Sequence, residues 1–234
     1  VGSTGHGTTD GADDLDLLSI VIPFKEKVLG LDPFDHYIYR TAAVREGKQD
    51  ARSMPGDVDL TFYSLRKFAG LAKKGNPSIL MAFFAPIHWA APLGLELREA
   101  SGLFRSKEAG YRFMGYMKSQ RARLAGERGQ KGVNRPELVE KYGWDTKYGY
   151  HLLRLGFQGL EFIKHGKIHM PMLPWVADFL KAVRLGGYQQ EQVLRWASEI
   201  EQELADAIED SGLPKTAPQE PIDKLLVDLH MRTW

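Results

Sequence analysis

Asp14 and Asp16 stand two residues apart in "DDLDL". In an extended strand, residues at that spacing point to the same side. Two carboxylates held so close repel each other unless a proton or a cation stands between them. A hard divalent cation suits the pair, above all when substrate phosphates supply its remaining oxygens. The spacing recurs at Asp57 and Asp59 in "GDVDLTFY". If the two segments are neighbouring strands, Asp59 completes a three-carboxylate cluster able to hold two ions, with Asp57 as the fallback third acid. Two Mg²⁺ ions, or Mn²⁺ in their place, can activate an attacking oxygen and stabilise a leaving pyrophosphate. The opposing reading of each Asp-x-Asp is a polar strand end with solvated acids.

A second group of residues suits phosphate. Gly2 and Ser3 offer a tight turn whose backbone N–H groups and hydroxyl can cradle phosphates as glycine-rich nests do. His6, in "TGHG", could contact nucleotide, move a proton or make a structural hydrogen bond within that turn. Lys147, His151 and Arg154 follow i, i+4, i+7 spacing in "DTKYGYHLLRL", so they share one helix face. They are the strongest candidates for phosphate or substrate contacts, against a solvated polar face as the alternative. Arg66 and Lys67 follow Asp59 closely and could reach the acids or close an internal salt bridge. Gln120, Arg121 and Arg123 are weaker candidates of the same kind. Tyr148 and Tyr150 could stack on a base, whereas the five tryptophans read as packing.

These residues need elements to place them. "LDLLSIVIP" is an apolar, β-branched run of strand length, and "DVDLTFYSL" alternates as a second strand. Between them, Phe24 to Gly56 is mixed and broken by Gly and Pro, which predicts loop and short elements folding over a cleft. The period then changes: Leu65, Phe68, Ala69 and Ala72 mark a helix from about Tyr63 to Lys74, stopped by "KKGNP". A short helix over Ser78 to Phe84 follows. Beyond about Ala91 the pattern is helical, with amphipathic runs in "SKEAGYRFMGYMKSQRARLAGE", "TKYGYHLLRLGFQGLEFIKHG", "LPWVADFLKAVRLGG" and "QQEQVLRWASEIEQELADAIEDSG". Asp145 is the expected N-cap of the second run and Gly166 its stop. Pro214 to Pro221 reads as a linker, and "IDKLLVDLHMRTW" as a closing helix that docks internally or on another subunit. The expected division is a core over 1–95 and a helical subdomain over 96–234.

Composition removes several alternatives. With 31 basic and 30 acidic residues, the net charge of +1 supplies no global field for non-specific nucleic-acid binding. The absence of cysteine excludes a disulfide scaffold and thiolate metal sites. "SILMAFFAPIHWAAPLGLEL", the most apolar stretch, carries two prolines and a histidine and falls short of a membrane span. A cytoplasmic setting without membrane contact is therefore expected, with oligomeric state left open.

The Gly-Ser pair, followed after eleven positions by Asp14-Leu15-Asp16, resembles the signature of the polymerase-beta-like nucleotidyltransferase superfamily. "YSLRKFAGLAKKGNPSILMAFFAP", "FMGYMKSQRARL" and "KYGWDTKYGYHLLRLGFQGLEFIKHGKI" are similar to blocks of the YcgL/RlaP-type nucleotidyltransferases of bacteria and phages. The resemblance implies an α+β fold: a nucleotidyltransferase core with a short mixed sheet flanked by helices, then a helical subdomain walling the substrate cleft. It implies that Gly2 and Ser3 form the phosphate-binding turn, that Asp14 and Asp16 bind two Mg²⁺ ions, and that Asp59 is the third acid. Where the family often has Arg-Gly after the Asp-x-Asp pair, this chain has Leu18-Ser19. The implied activity is transfer of a nucleoside monophosphate from a nucleoside triphosphate, ATP among them, to an RNA or tRNA, protein or small-molecule acceptor. The alternatives are a catalytically silent nucleotide- or RNA-binding module and a metal-dependent phosphoesterase.

Overall fold

The computed structural model describes residues 1–9, 14–48, 50–126 and 135–234. A single turn of helix, α1 (Gly2–His6), precedes β1 (Leu15–Val21). The next stretch holds α2 (Glu26–Leu29), β2 (His36–Arg40) and α3 (Thr41–Glu46), and then β3 (Val58–Ser64). Sequence reading leaves His36–Arg40 among loops and short elements, whereas it is a full strand. The reason is its position: β2 is an edge strand with most of its side chains exposed, so it carries no burial alternation. The sheet order is β1-β3-β2, with β1 parallel and β2 antiparallel to β3. That makes it mixed. Register opposes Asp16 to Asp59 on one side and Arg40 to Asp59 on the other.

Helices follow to the end of the chain. α4 (Leu65–Lys73) starts where the Ser64 hydroxyl accepts from the Lys67 N–H at 3.2 Å, and α5 (Pro77–Ala82) starts at Asn76, whose side chain accepts from Ser78 N–H at 3.0 Å. α6 (Pro92–Glu99) and a 3-10 turn (Ala100–Phe104) lead to α7 (Lys107–Leu124) and α8 (Pro136–Tyr142). α9 (Thr146–His165) is capped by Asp145 and stopped by Gly166 in the left-handed conformation. α10 (Pro174–Arg184), α11 (Gln190–Asp210) and α12 (Gln219–Met231) complete the chain. The expected linker is shorter than predicted, because α12 begins ahead of Pro221. Its carbonyls have a use: Pro214 and Lys215 each accept, at 2.9 Å, from the free N–H groups of Lys107 and Glu108 at the start of α7.

α9 is the central strut, packed by α7, α10 and α11. Leu152, Leu153, Phe162 and Ile163 on it are almost fully buried. The neighbouring helices approach closely because α9 presents glycine at the contact: a Cβ on Gly159 would stand 3.0 Å from both Leu204 Cδ2 and Phe113 Cβ. One continuous core runs from Leu65 and Phe68 of α4 through α9 to Ile222 and Leu229 of α12, crossing residue 95 without a break. The closing helix therefore docks internally. Arg232 holds Glu96 at 2.6 Å, and the Trp234 indole donates to the Pro23 carbonyl at 3.1 Å. Among the described residues no helix is long and apolar enough to cross a membrane.

Candidate active site

β1 and β3 bring three acids together. Because the strands are parallel neighbours and Asp16 faces Asp59, one carboxylate oxygen from each of Asp14, Asp16 and Asp59 lies within 4.8 Å of the others. All three are half-buried. Burial pushes the Asp16 carboxyl above its ordinary range, and the charges of Asp14 and Asp59 push it the same way. Repulsion of this kind is what a divalent cation relieves, and the all-oxygen donor set is the type that Mg²⁺ prefers.

Asp57 takes no part in this cluster. It accepts from Arg45 Nη1 at 2.6 Å, from the Thr41 hydroxyl at 2.9 Å and from the Met54 N–H at 2.7 Å. Those donors, led by Arg45, hold its carboxyl down to about 2. The Thr41 hydroxyl in turn accepts from the Val58 N–H at 2.8 Å, so Asp57 latches α3 to the start of β3.

Asp59 has partners that sequence reasoning missed. Arg40 Nε donates to its Oδ2 at 3.0 Å, and the Ser53 hydroxyl donates to the same oxygen at 3.0 Å. Arg40 Nη2 also donates to Ser53 Oγ at 2.8 Å. The available signal was the aromatic and β-branched "HYIYR", which has strand character and would have set Arg40 beside β3.

A cleft of about 560 Å³ opens on the acids. Its sheet wall carries Asp14, Asp16, Asp59, Thr61 and Tyr63, and its helical wall carries Lys147, Tyr150, His151 and Arg154 of α9 with Arg184 of α10. Gly2, Ser3 and His6 border it as well. Gly2 and Ser3 sit in the first turn of α1 rather than in a free-standing turn. The Val1 nitrogen donates to the Asp16 carbonyl at 3.0 Å, which lays α1 along β1. Gly2 has φ of +63°, and a Cβ there would collide with Asp16 Oδ2, so glycine is required on both counts.

The expected helix face is therefore assembled: Lys147, His151 and Arg154 all meet the cleft opposite the acids. Arg66 and Lys67 are not brought there. Lys67 pairs with Asp35 at 3.2 Å, and Arg66 borders a separate small cavity beside Pro23 and His230. They fall away because α4 starts beyond the end of β3 distant from Asp59. Arg121 is likewise engaged elsewhere, donating to Ser198 and Glu201 of α11. His6 is buried, and its pKa lies well below the ordinary imidazole value because of that burial and the nearby Arg154 charge. His151 is shifted the same way, by burial first and then by Arg154 and Lys147.

Comparison with curated proteins and with solved structures finds no match. A family model does: the one described as "RlaP: RNA repair pathway DNA polymerase beta family" matches residues 1–228. With parallel strands joining the acids, a mixed sheet flanked by helices and this match over nearly its whole length, the chain belongs to the RlaP family of polymerase-beta-like nucleotidyltransferases.

Proposed function

We propose that this protein transfers a nucleoside monophosphate from a nucleoside triphosphate to an acceptor, with release of pyrophosphate. The observation that carries the reading is the meeting of Asp14, Asp16 and Asp59 within 4.8 Å at one end of a cleft whose other wall is basic. In the reaction the acceptor oxygen bonds to the α-phosphorus, and the bond from that phosphorus to the pyrophosphate oxygen breaks. Asp14, Asp16 and Asp59 would hold Mg²⁺, which when bound supplies positive charge to the reacting phosphate and the departing pyrophosphate.

The chain's own residues have distinct tasks in this reading. Asp59 orients the acceptor hydroxyl and takes its proton, while Arg40 and Ser53 fix the carboxylate that does so. Gly2 and Ser3 lie against the donor's phosphates, and Lys147 adds positive charge across the cleft. Residues 1–95 serve as the catalytic part and 96–234 as the wall that closes on the substrate. The family description speaks of RNA repair, and an RNA end is the acceptor to test first.

Incubation with each labelled triphosphate, Mg²⁺ or Mn²⁺, and RNA, protein or small-molecule acceptors should release pyrophosphate and label one acceptor class. Asp59→Asn should abolish both signals. Saturable nucleotide binding without turnover, unchanged by that substitution, would instead mark a silent binding module. Hydrolysis of phosphate esters with no triphosphate present would mark a phosphoesterase.

A further inference from the structure

Arg154 is a cation with no counter-ion among the described residues. It lies on the helical wall of the cleft, on α9, and no described carboxylate pairs with it. Its Nη1 donates to His6 Nε2 at 2.5 Å and to Gln158 Oε1 at 3.3 Å, and lies 3.5 Å from Met81 Sδ. Nη2 faces His151 Nδ1 at 3.4 Å, and Nε is buried with no hydrogen-bond partner. Tyr150 presents its ring 5.9 Å from the guanidinium carbon. None of these partners is an anion, whereas charges taken out of water are ordinarily paired.

The hydrogen bonds around His6 are short of acceptors as well. A neutral imidazole has one acceptor nitrogen. On His6 that nitrogen is Nε2, which takes the Arg154 donor. Nδ1 then carries the proton, yet it faces the Gln158 amide nitrogen at 3.2 Å, another donor. Turning the amide over would only move the mismatch, because the Gln158 oxygen now beside Arg154 would be replaced by nitrogen. Protonating either histidine adds donors. The cluster holds more donors than acceptors and a net positive charge, and both surpluses are met by one kind of ligand, an oxyanion.

The position of the cluster says which oxyanion. α1 touches Asp16 at Gly2 and Arg154 at His6, so its one turn spans the acids and the guanidinium. Four residue steps of helix are about 6 Å long, which matches a phosphate chain running from the acids inward. We propose that Arg154, with His6 and His151 beside it, is a metal-independent receptor for the terminal phosphate of the donor's phosphate chain. The same receptor retains pyrophosphate after transfer. The oxyanion site stands on the structure alone, and its assignment to a donor triphosphate rests on the transferase reading.

The test is calorimetric titration of the whole chain with pyrophosphate in excess EDTA. Saturable binding is expected, with ATP also binding and AMP weaker by roughly tenfold or more. Arg154→Met should lose pyrophosphate binding by a similar factor, and Arg154→Lys should recover part of it. Thermal unfolding separates a binding role from a structural one. Without ligand, Arg154→Met should melt at or above the wild-type temperature, and pyrophosphate should raise the melting temperature of the wild type but not of Arg154→Met. Asp59→Asn should keep metal-free pyrophosphate binding, even though the transferase reading has it lose turnover. Binding in EDTA without any transfer activity would retain the oxyanion site and discard its donor. Equal binding by wild type and Arg154→Met, absence of binding, or a fall of several degrees in ligand-free Arg154→Met would overturn the proposal. Competition by a 5′-phosphorylated oligonucleotide but not by ATP would overturn the assignment to the donor.

Discussion

At the scale of single residues, Asp59 is held by two neighbours that do not themselves belong to the acidic cluster. Groups in such positions typically change metal affinity or activity about 10–100-fold when removed. Ser53→Ala is therefore expected to lower the rate within that range while leaving the melting temperature nearly unchanged, which steady-state kinetics and calorimetry would check. Asp16→Asn should act in both directions. It should remove activity and, in EDTA, raise the melting temperature, because it deletes one of three mutually repelling charges. His6 makes stability depend on pH. Its folded pKa is depressed below the unfolded value of about 6.5, so the unfolded chain binds the proton first as pH falls. Stability is full above that pH and is lost progressively below it. Melting temperatures followed from pH 8 to 5 should show this fall, with a shallower slope in His6→Gln. The acids were legible because a period of two survives in any strand. The reason for Asp59 over Asp57 was not, since both fall in one alternating run of sequence, whereas in the structure Asp57 lies just ahead of β3 and is drawn out by Arg45, Thr41 and the Met54 amide.

At the scale of elements, α9 shows two opposing effects of glycine. On helix propensity alone, replacing Gly156 by alanine would stabilise the helix by about 1 kcal/mol. A Cβ there, however, would run into Ile200 Cγ2 and stand 2.9 Å from Met117 Cε. Overpacking of a close interface costs about 1–3 kcal/mol, so steric conflict should win. Gly156→Ala is expected to lower the urea midpoint, and a rise would show that α11 can shift away freely. α9 was readable because its caps and its apolar period agree over 20 residues. β2 was harder to read because it is paired on one side only and leaves Tyr37 and Ile38 in water, at 56% and 49% exposure. The helical arrangement of Gly2 and Ser3 was equally hidden, since α1 is a single turn stabilised by its contact with β1 rather than by its own length.

For the whole molecule, the core does not respect residue 95. Phe68, Phe83, Phe104 and Phe162 belong to one buried cluster, with Phe83 stacked on Phe104 at 5.1 Å between ring centres. A chain built this way should unfold in a single transition, reported alike by tryptophan fluorescence and far-UV dichroism. Two separated transitions would show that residues 1–95 and 96–234 unfold independently. The polarity of the cleft has a consequence for how a ligand arrives. With formal charges cancelling to +1 over the whole chain, an approaching polyanion feels little attraction from afar. Near the mouth, field lines run from the cations of α9 and α10 to the acids of the sheet, and they rotate the ligand before it touches either wall. Encounter should therefore slow as ionic strength rises, and only the correctly turned fraction of collisions should proceed inward.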